Sequence, residues 1–486
     1  MRRVALALGV LLLAFVVALV VGVATTPSRQ PVVAPATENI DAEAMTRHLA
    51  EAVRFRTVSA ARAEDVQRDA LNGLIAWMEQ TYPRAHDQLV REVVGGYSLL
   101  YTWRGSDPSL PPILLMSHMD VVPVENEAEW THPPFDGVIA DGALWGRGTM
   151  DDKSGVVGIL EAVEGLLAEG FTPRRTVYLS FGHDEETLGE GSLAAAALLR
   201  ERGVRLSWVL DEGMVITDGI IKGVKAPAAL IGVGERGYLS VRVEAADEGG
   251  HSSMPPPTTA AGRVARAVAR IEADPFPAGL DGPATSLFEW LAPEMSQPLR
   301  TVFSNLWLFR PVVISQMTQK PSTNALARTT QAVTMLSGSL QDNVLPQRAW
   351  AVVNLRLHPR DTQASALARL AKVIDDPTIT LSPYPSGLNG EPSPSSRDVG
   401  APGFDTITAA IRALRPDVVV APGLTVGATD ARRFVDLADD VYRFMPLQLT
   451  EPERAAIHGT DERVKLDNLA LFPAFYRQVI RRGAGS

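Results

Sequence analysis

The chain has 486 residues, with 46 Lys and Arg against 56 Asp and Glu and a net charge of −10. That length exceeds one small core and predicts two or three domains, and the negative charge argues against nucleic acid as a partner. The chain has no cysteine, which excludes disulfides, thiolate metal ligands and a cysteine nucleophile, and suits an oxidising compartment.

Met1-Arg2-Arg3 precedes an uncharged apolar stretch from Val4 to Ala24. About 20 residues suffice to cross a bilayer. Arg2 and Arg3 should stay in the cytoplasm and place the rest of the chain outside it. A cleaved signal peptide is the alternative, with the small residues Gly22 and Ala24 near the cleavage point. Residues 1–30 are therefore expected to be an anchor or a signal. The catalytic part is then membrane-anchored outside the cytoplasm, or secreted or periplasmic after cleavage. Thr25 to Glu38, rich in Pro, Thr and Ala, reads as a linker.

Helical spacing predicts helices over 40–55, with Asp41 as cap, and over 65–82. Strands are expected over 97–103 and 113–116, a helix over 155–167, a strand over 176–181, a helix over 192–202 and a strand over 206–210. Strands alternating with helices predict an α/β fold with a mixed, mainly parallel sheet covered on both faces. From Gly237 the texture changes: a strand over 238–245, a helix over 258–272, strands over 332–336 and 349–357, and a helix over 362–373. This set predicts a smaller α+β domain, 237–388, inserted between catalytic parts 31–236 and 389–486. Residues 275–325 resist assignment. A helix over 404–414, a strand over 417–421 and a closing helix over 466–479 complete the chain. Gly232, Gly234 and Gly237 match G-x-G-x-x-G, but a strand comes next where a phosphate-binding helix would be needed, so a hinge is the better reading.

Four apolar runs stop on acidic or imidazole groups, at His118-Met-Asp120, Asp151-Asp152, Glu185-Glu186 and Asp211-Glu212. Buried strands end this way when their tips carry a site. Each group has a plainer reading: a hydrogen-bonded histidine, a helix cap at Asp151-Asp152, a solvated glutamate pair, a turn. Together they are costly unless something binds them. His118, Asp151, Glu186, Asp211 and a later histidine supply the nitrogen and oxygen donors of a catalytic zinc centre, leaving Glu185 as base.

His118-Met-Asp120-Val-Val-Pro-Val, Gly146-Arg-Gly-Thr-Met-Asp151-Asp152-Lys153 and Gly182-His-Asp-Glu185-Glu186 resemble the signature of metallopeptidase family twenty. Trp130-Thr-His132-Pro-Pro-Phe135, Gly249-Gly-His251-Ser-Ser and Ile457-His458-Gly-Thr resemble its branch of carboxypeptidase S and N-fatty-acyl amino acid hydrolases. The resemblance implies a mixed-sheet di-zinc exopeptidase-like domain with an inserted lid or dimerisation domain, working as a homodimer. It implies two Zn2+ per subunit, with Co2+ or Mn2+ as substitutes. Asp151 would bridge them, His118 and Asp211 completing one site and Glu186 and His458 the other. Glu212, next to Asp211, is the alternative ligand. Asp120 would orient His118 and Glu185 would be the general base. A cis peptide at Asp151-Asp152 is a family feature. His251 would stabilise the oxyanion from the partner subunit, and Arg356 would bind the substrate carboxylate. Asn343 and Thr429 resemble further substrate contacts.

The expected activity is cleavage of the amide of N-acyl amino acids, or of C-terminal residues of short peptides. A dipeptidase or small-acyl deacylase of the same fold is the near alternative. A metal-free binding protein is the remote one; it would have lost ligands, and none is missing.

Overall fold

The computed structural model describes residues 2–60, 62, 65–187, 189–385 and 389–485. A large mixed sheet forms the centre, and a separate four-stranded antiparallel sheet stands apart from it. In the large sheet, strand Ile113–His118 lies between Val177–Gly182 and Leu206–Asp211 and runs parallel to both. All six residues of Ile113–His118 and of Val177–Gly182 are buried. Their continuous apolar runs suit strands covered on both faces. Strand Ala438–Arg443 extends the parallel set, with Arg443 opposite Asp211. His118, the Glu185-Glu186 turn and Asp211 therefore leave the sheet at one edge, the carboxyl ends of neighbouring parallel strands.

Helix Lys153–Ala168 follows the Asp151-Asp152 turn and packs on strand Ile113–His118 and on the closing helix Leu471–Ala484. Gly158 permits this approach: a Cβ there would meet the Phe472 Cβ at 2.7 Å. The first helix of the body, Ala42–Val53, is capped by Asp41, whose carboxylate accepts from Ala44 N at 2.8 Å. The Asp151–Asp152 peptide is cis.

The small sheet has the order Thr330–Ser337, Arg348–Leu357, Gly237–Ala246, Ile379–Pro383. Helices Ala260–Ala273 and Gln363–Ile374 cover it, and Val241, Val243, Ile271, Val353 and Leu370 fill its own core. The expected end of the insert, at 388, lies outside the described residues. Strand Ala228–Glu235 of the large sheet leads through Arg236 straight into strand Gly237–Ala246 of the small one. The three spaced glycines thus lie in strands that carry the chain from one sheet to the other, with no helix behind them.

The unassigned stretch 275–325 is mainly helical: Gly282–Leu291, Leu299–Ser304, Leu306–Met317 and Pro321–Ala327. Gly282–Leu291 packs on strand Val419–Thr425, and Trp290 meets Phe404 edge-on at 5.4 Å. This helix belongs to the core of the large sheet although its sequence falls within the expected insert. Helix Arg2–Ala24 is apolar and projects with no buried residue.

Candidate metal centre

Asp151 is the pivot of the site. Its Oδ1 lies 3.0 Å from His118 Nε2 and its Oδ2 2.8 Å from His458 Nε2. Glu186 closes the group, with Oε1 3.3 Å from His458 Nε2. That oxygen is buried and has no hydrogen bond of proper geometry. Donor atoms of His118, Asp151 and Glu186 all lie within 4.8 Å of one another. A carboxylate with one imidazole on each oxygen, beside a buried carboxylate oxygen that lacks a hydrogen bond, is a donor set that fits hard or borderline divalent cations.

Electrostatics reflect this crowding. Burial pushes the His118 pKa down, but the flanking Asp120 and Asp151 outweigh it and hold the ring well above its usual range. The neighbouring carboxylates of Asp151 and Glu186 raise His458 to about 10. Burial raises Glu185 well above the ordinary glutamate range, aided by the carboxylates of Asp430, Glu212 and Glu186 and opposed by His118. Burial likewise lifts Asp152 to about 8. Each imidazole is therefore proton-loaded by its carboxylates, and a bound cation would replace those protons.

Asp120 positions the rest. It is 1% exposed, and its Oδ1 accepts from Glu185 N while Oδ2 accepts from Glu186 N, both at 3.1 Å. Ser59 Oγ donates to Oδ2 at 2.9 Å, and His118 Nδ1 lies 3.0 Å from the Asp120 backbone carbonyl. One buried side chain thus sets the Glu185-Glu186 turn, and its backbone carbonyl orients the first imidazole.

Two elements at the site have roles that the sequence did not signal. Buried Glu462 accepts from Arg147 Nη1 at 2.6 Å, Gly148 N at 3.0 Å and Met150 N at 2.8 Å. Arg147 Nη2 in turn donates to the carbonyls of His458 and Gly459. This pair ties the loop of His458 to the turn of Asp151. Lys153, expected only as part of the motif, is buried, and its Nζ donates to the carbonyls of Ala52 and Phe55. Burial lowers its pKa to about 7.

Asp211 ends its strand as expected. Its Oδ1 accepts from Glu212 N at 2.9 Å and its Oδ2 from Ala431 N at 2.8 Å. Glu212 is also buried, and burial with the nearby Asp151 raises its pKa well above the usual range. Asp152 heads helix Lys153–Ala168 without capping it through its side chain; Ser117 Oγ donates to its Oδ2 at 2.5 Å. Thr429 is buried in a network in which its hydroxyl donates to Glu235 and Arg443 Nε donates to Glu235 at 2.8 Å. His251 and Asn343 stand together on an exposed edge of the insert: Val344 pairs with His251, and Ser252 N donates to the Asn343 carbonyl. The His251 ring bonds to Ser253. Arg356 lies on strand Arg348–Leu357 with its guanidinium 4.6 Å from the Tyr238 ring centre.

The family model for peptidase family M20/M25/M40 matches residues 114–482, which hold every residue of this centre. The chain belongs to the M20 peptidase family. A zebrafish (Danio rerio) N-fatty-acyl-amino acid synthase/hydrolase PM20D1.1 is 40% identical over 434 residues, 88% of this chain and 84% of the relative. Carboxypeptidase S of Saccharomyces cerevisiae is 32% identical, covering 80% of this chain and 74% of the relative. Among solved structures, an M20 family metallo-carboxypeptidase from Sulfolobus solfataricus shares the fold with a TM-score of 0.63 at 16% identity, covering 90% of this chain and 98% of that one. Human carnosine dipeptidase 1 does so with a TM-score of 0.58 at 17% identity, covering 90% and 96%. This M20 chain is thus a metallopeptidase-family hydrolase on a mixed α/β scaffold.

Proposed function

We propose that this hydrolase is an exported, membrane-anchored di-zinc enzyme that cleaves the amide bond of N-acyl amino acids or of C-terminal residues of short peptides. The observation that carries the reading is Asp151, with one carboxylate oxygen facing His118 and the other facing His458. That is the disposition of a carboxylate shared by two cations. His118 and Asp211 would hold one zinc, Glu186 and His458 the other, and Co2+ or Mn2+ would fit the same donors. When bound, the metals would polarise the amide carbonyl and make water acidic enough to be a nucleophile near neutral pH.

The chain's own groups do the rest. Glu185, its backbone fixed by Asp120, takes a proton from water and returns it to the leaving amine. The raised proton affinity that burial gives its carboxyl favours the first of these transfers. Arg356 binds the free carboxylate of the leaving amino acid. Its partial burial weakens competition from water. His251 and Asn343 sit on an exposed rim, so we assign them to the oxyanion and acyl side of a second copy's site in a homodimer. Thr429 acts from behind, steadying Glu235 and Arg443 beside Asp211. Domain boundaries at 30, 236 and 388 belong to the same reading, with helix Gly282–Leu291 returning from the insert to the large sheet.

The test is amino acid release by the full-length chain from an N-acetyl, a long-chain N-acyl and an aminoacyl derivative of one amino acid, with and without chelator. Chelator-sensitive release favouring the long acyl chain supports the proposal. Release confined to the aminoacyl derivative would make the protein a dipeptidase, and metal-independent release would refute the mechanism.

A further inference from the structure

The apolar helix Arg2–Ala24 does not stand clear of the body at its carboxyl end. Leu19, Gly22, Val23 and Thr26 are the partly covered residues there, spaced as one helical face. That face meets the short helix Leu299–Ser304 and the turn after it. Asn305 Nδ2 donates to the Leu19 carbonyl at 3.1 Å, and a Cβ on Gly22 would collide with the Asn305 side chain at 2.1 Å. The chain leaving the helix is then strapped down. Arg29 pairs with Glu289 at 2.9 Å, Ser28 donates to Glu294, and Gln30 exchanges two hydrogen bonds with the Val420 backbone. The start of the segment expected to be a linker is thus fastened to the body.

Beside this junction, helix Leu306–Met317 buries Val313 and Met317 alone. Trp307 is 67% exposed and Val312 57% exposed. No Asp or Glu occurs from Met295 to Gln319, in a chain of net charge −10, while Arg300 and Arg310 do occur there. Two polar side chains at the tip bond within it: Trp307 Nε1 donates to Asn305 Oδ1, and Asn305 Nδ2 also bonds the Thr301 carbonyl.

We infer that residues 299–317 form a second membrane-contacting element, seated in the outer interface of the bilayer that helix Arg2–Ala24 crosses. At about 1.5 Å per residue that helix is about 35 Å long, enough for a hydrocarbon core of about 30 Å. Its last turns then lie at the outer interface, and the contacts of Leu19 and Gly22 with Asn305 put the adjoining Trp307 at the same level, with Val312 further along the same helix. An exposed tryptophan and valine in a segment that carries arginines and no acid of its own, the nearby Glu289 and Glu294 being bonded to Arg29 and Ser28, suit the headgroup boundary of an anionic membrane. The inference rests on the helix being kept as an anchor.

The cysteine-free sequence makes the test clean. Trp307→Cys, Val312→Cys, Leu12→Cys and Leu340→Cys each receive an environment-sensitive fluorophore in the full chain. Each is reconstituted in vesicles of equal phosphatidylcholine and phosphatidylglycerol, with or without brominated acyl chains. Leu340, fully exposed in the insert, reports water. Loss of emission in brominated lipid at 12, 307 and 312, but not at 340, is the expected result; 307 and 312 serve as independent reporters should one variant fold poorly. Loss at 12 alone overturns the inference and leaves the anchor standing. Loss at none of the four removes the anchor and the inference together. Labels at 307 and 312 shielded from aqueous iodide but untouched by brominated lipid would assign the face to a second copy of the chain and overturn it as well.

Discussion

Replacing Asp120 by Asn tests whether one buried carboxylate aligns base and ligand. The substitution keeps size and shape, but one oxygen becomes an NH2 group. In either orientation that NH2 faces a backbone N–H, of Glu185 or of Glu186, since each Asp120 oxygen accepts one of them. A buried donor left unpaired costs about 1–3 kcal/mol, and loss of the charge weakens the remaining bonds by about 1 kcal/mol more. The carboxylate is ionised in the native protein: burial opposes this, but His118, Ser59 and Glu186 N hold its pKa below the usual range. A total of about 2–4 kcal/mol expressed at the turn corresponds to roughly a thirty- to thousandfold loss of kcat/KM. Metal affinity should fall by about ten- to a hundredfold. The assay is steady-state hydrolysis alongside metal titration against a fluorescent chelator, with Ser59→Ala as the milder companion. An Asp120→Asn enzyme within threefold of the parent in both readouts would refute this positioning role.

Three further outcomes are expected. Arg356→Ala should raise KM for free-carboxylate substrates by roughly thirtyfold, the equivalent of about 2 kcal/mol of charge-assisted bonding, and leave amidated analogues unchanged; equal effects on both would remove Arg356 from the substrate site. Glu462→Gln leaves the buried Arg147 guanidinium without its anion, so chemical denaturation should show a loss of about 3 kcal/mol, and a loss under about 1 kcal/mol would contradict the tie. Buried His358 has its pKa lowered to about 4, by burial first and then by Arg360 and Arg236. Its folded form stays neutral while the unfolded chain takes a proton near pH 6.5, so the stability it contributes is present above that pH and is lost as pH falls towards 4. The loss should be about 3 kcal/mol, and His358→Asn should flatten the dependence; an unchanged slope would exclude His358 as its source.

The motifs were legible because the chemistry sits at the ends of apolar runs. Ile113–His118 and Val177–Gly182 are buried on both faces, and their hydrophobic continuity marks them in the sequence. Strand Ala438–Arg443 is equally central but reads as polar. Its Asp440 is buried through an ion pair with Arg397, a partner far away in sequence. The helices of 275–325 were hidden by prolines at 275, 277, 283, 293, 298, 311 and 321. Several of these stand in the first turn of a helix, where the missing N–H costs nothing. Asp211 was legible as a strand end, but one of its oxygens is held by Ala431 N, brought in by a distant turn. Glu462 was missed for the same reason. Its three clearest donors lie more than 300 residues away in sequence, and nothing local distinguishes it from a surface acid.

Glu185→Gln carries the most weight. The side chain keeps its size while losing the ability to take a proton, and the neighbouring donors His118, Asp151, Glu186 and His458 are untouched. The metal content of the purified protein and the rate of amide hydrolysis would be measured on the same sample. The expected result is metal bound as in the parent with turnover reduced by about a thousandfold. Turnover within tenfold of the parent, with metal still bound, would contradict general-base catalysis by Glu185.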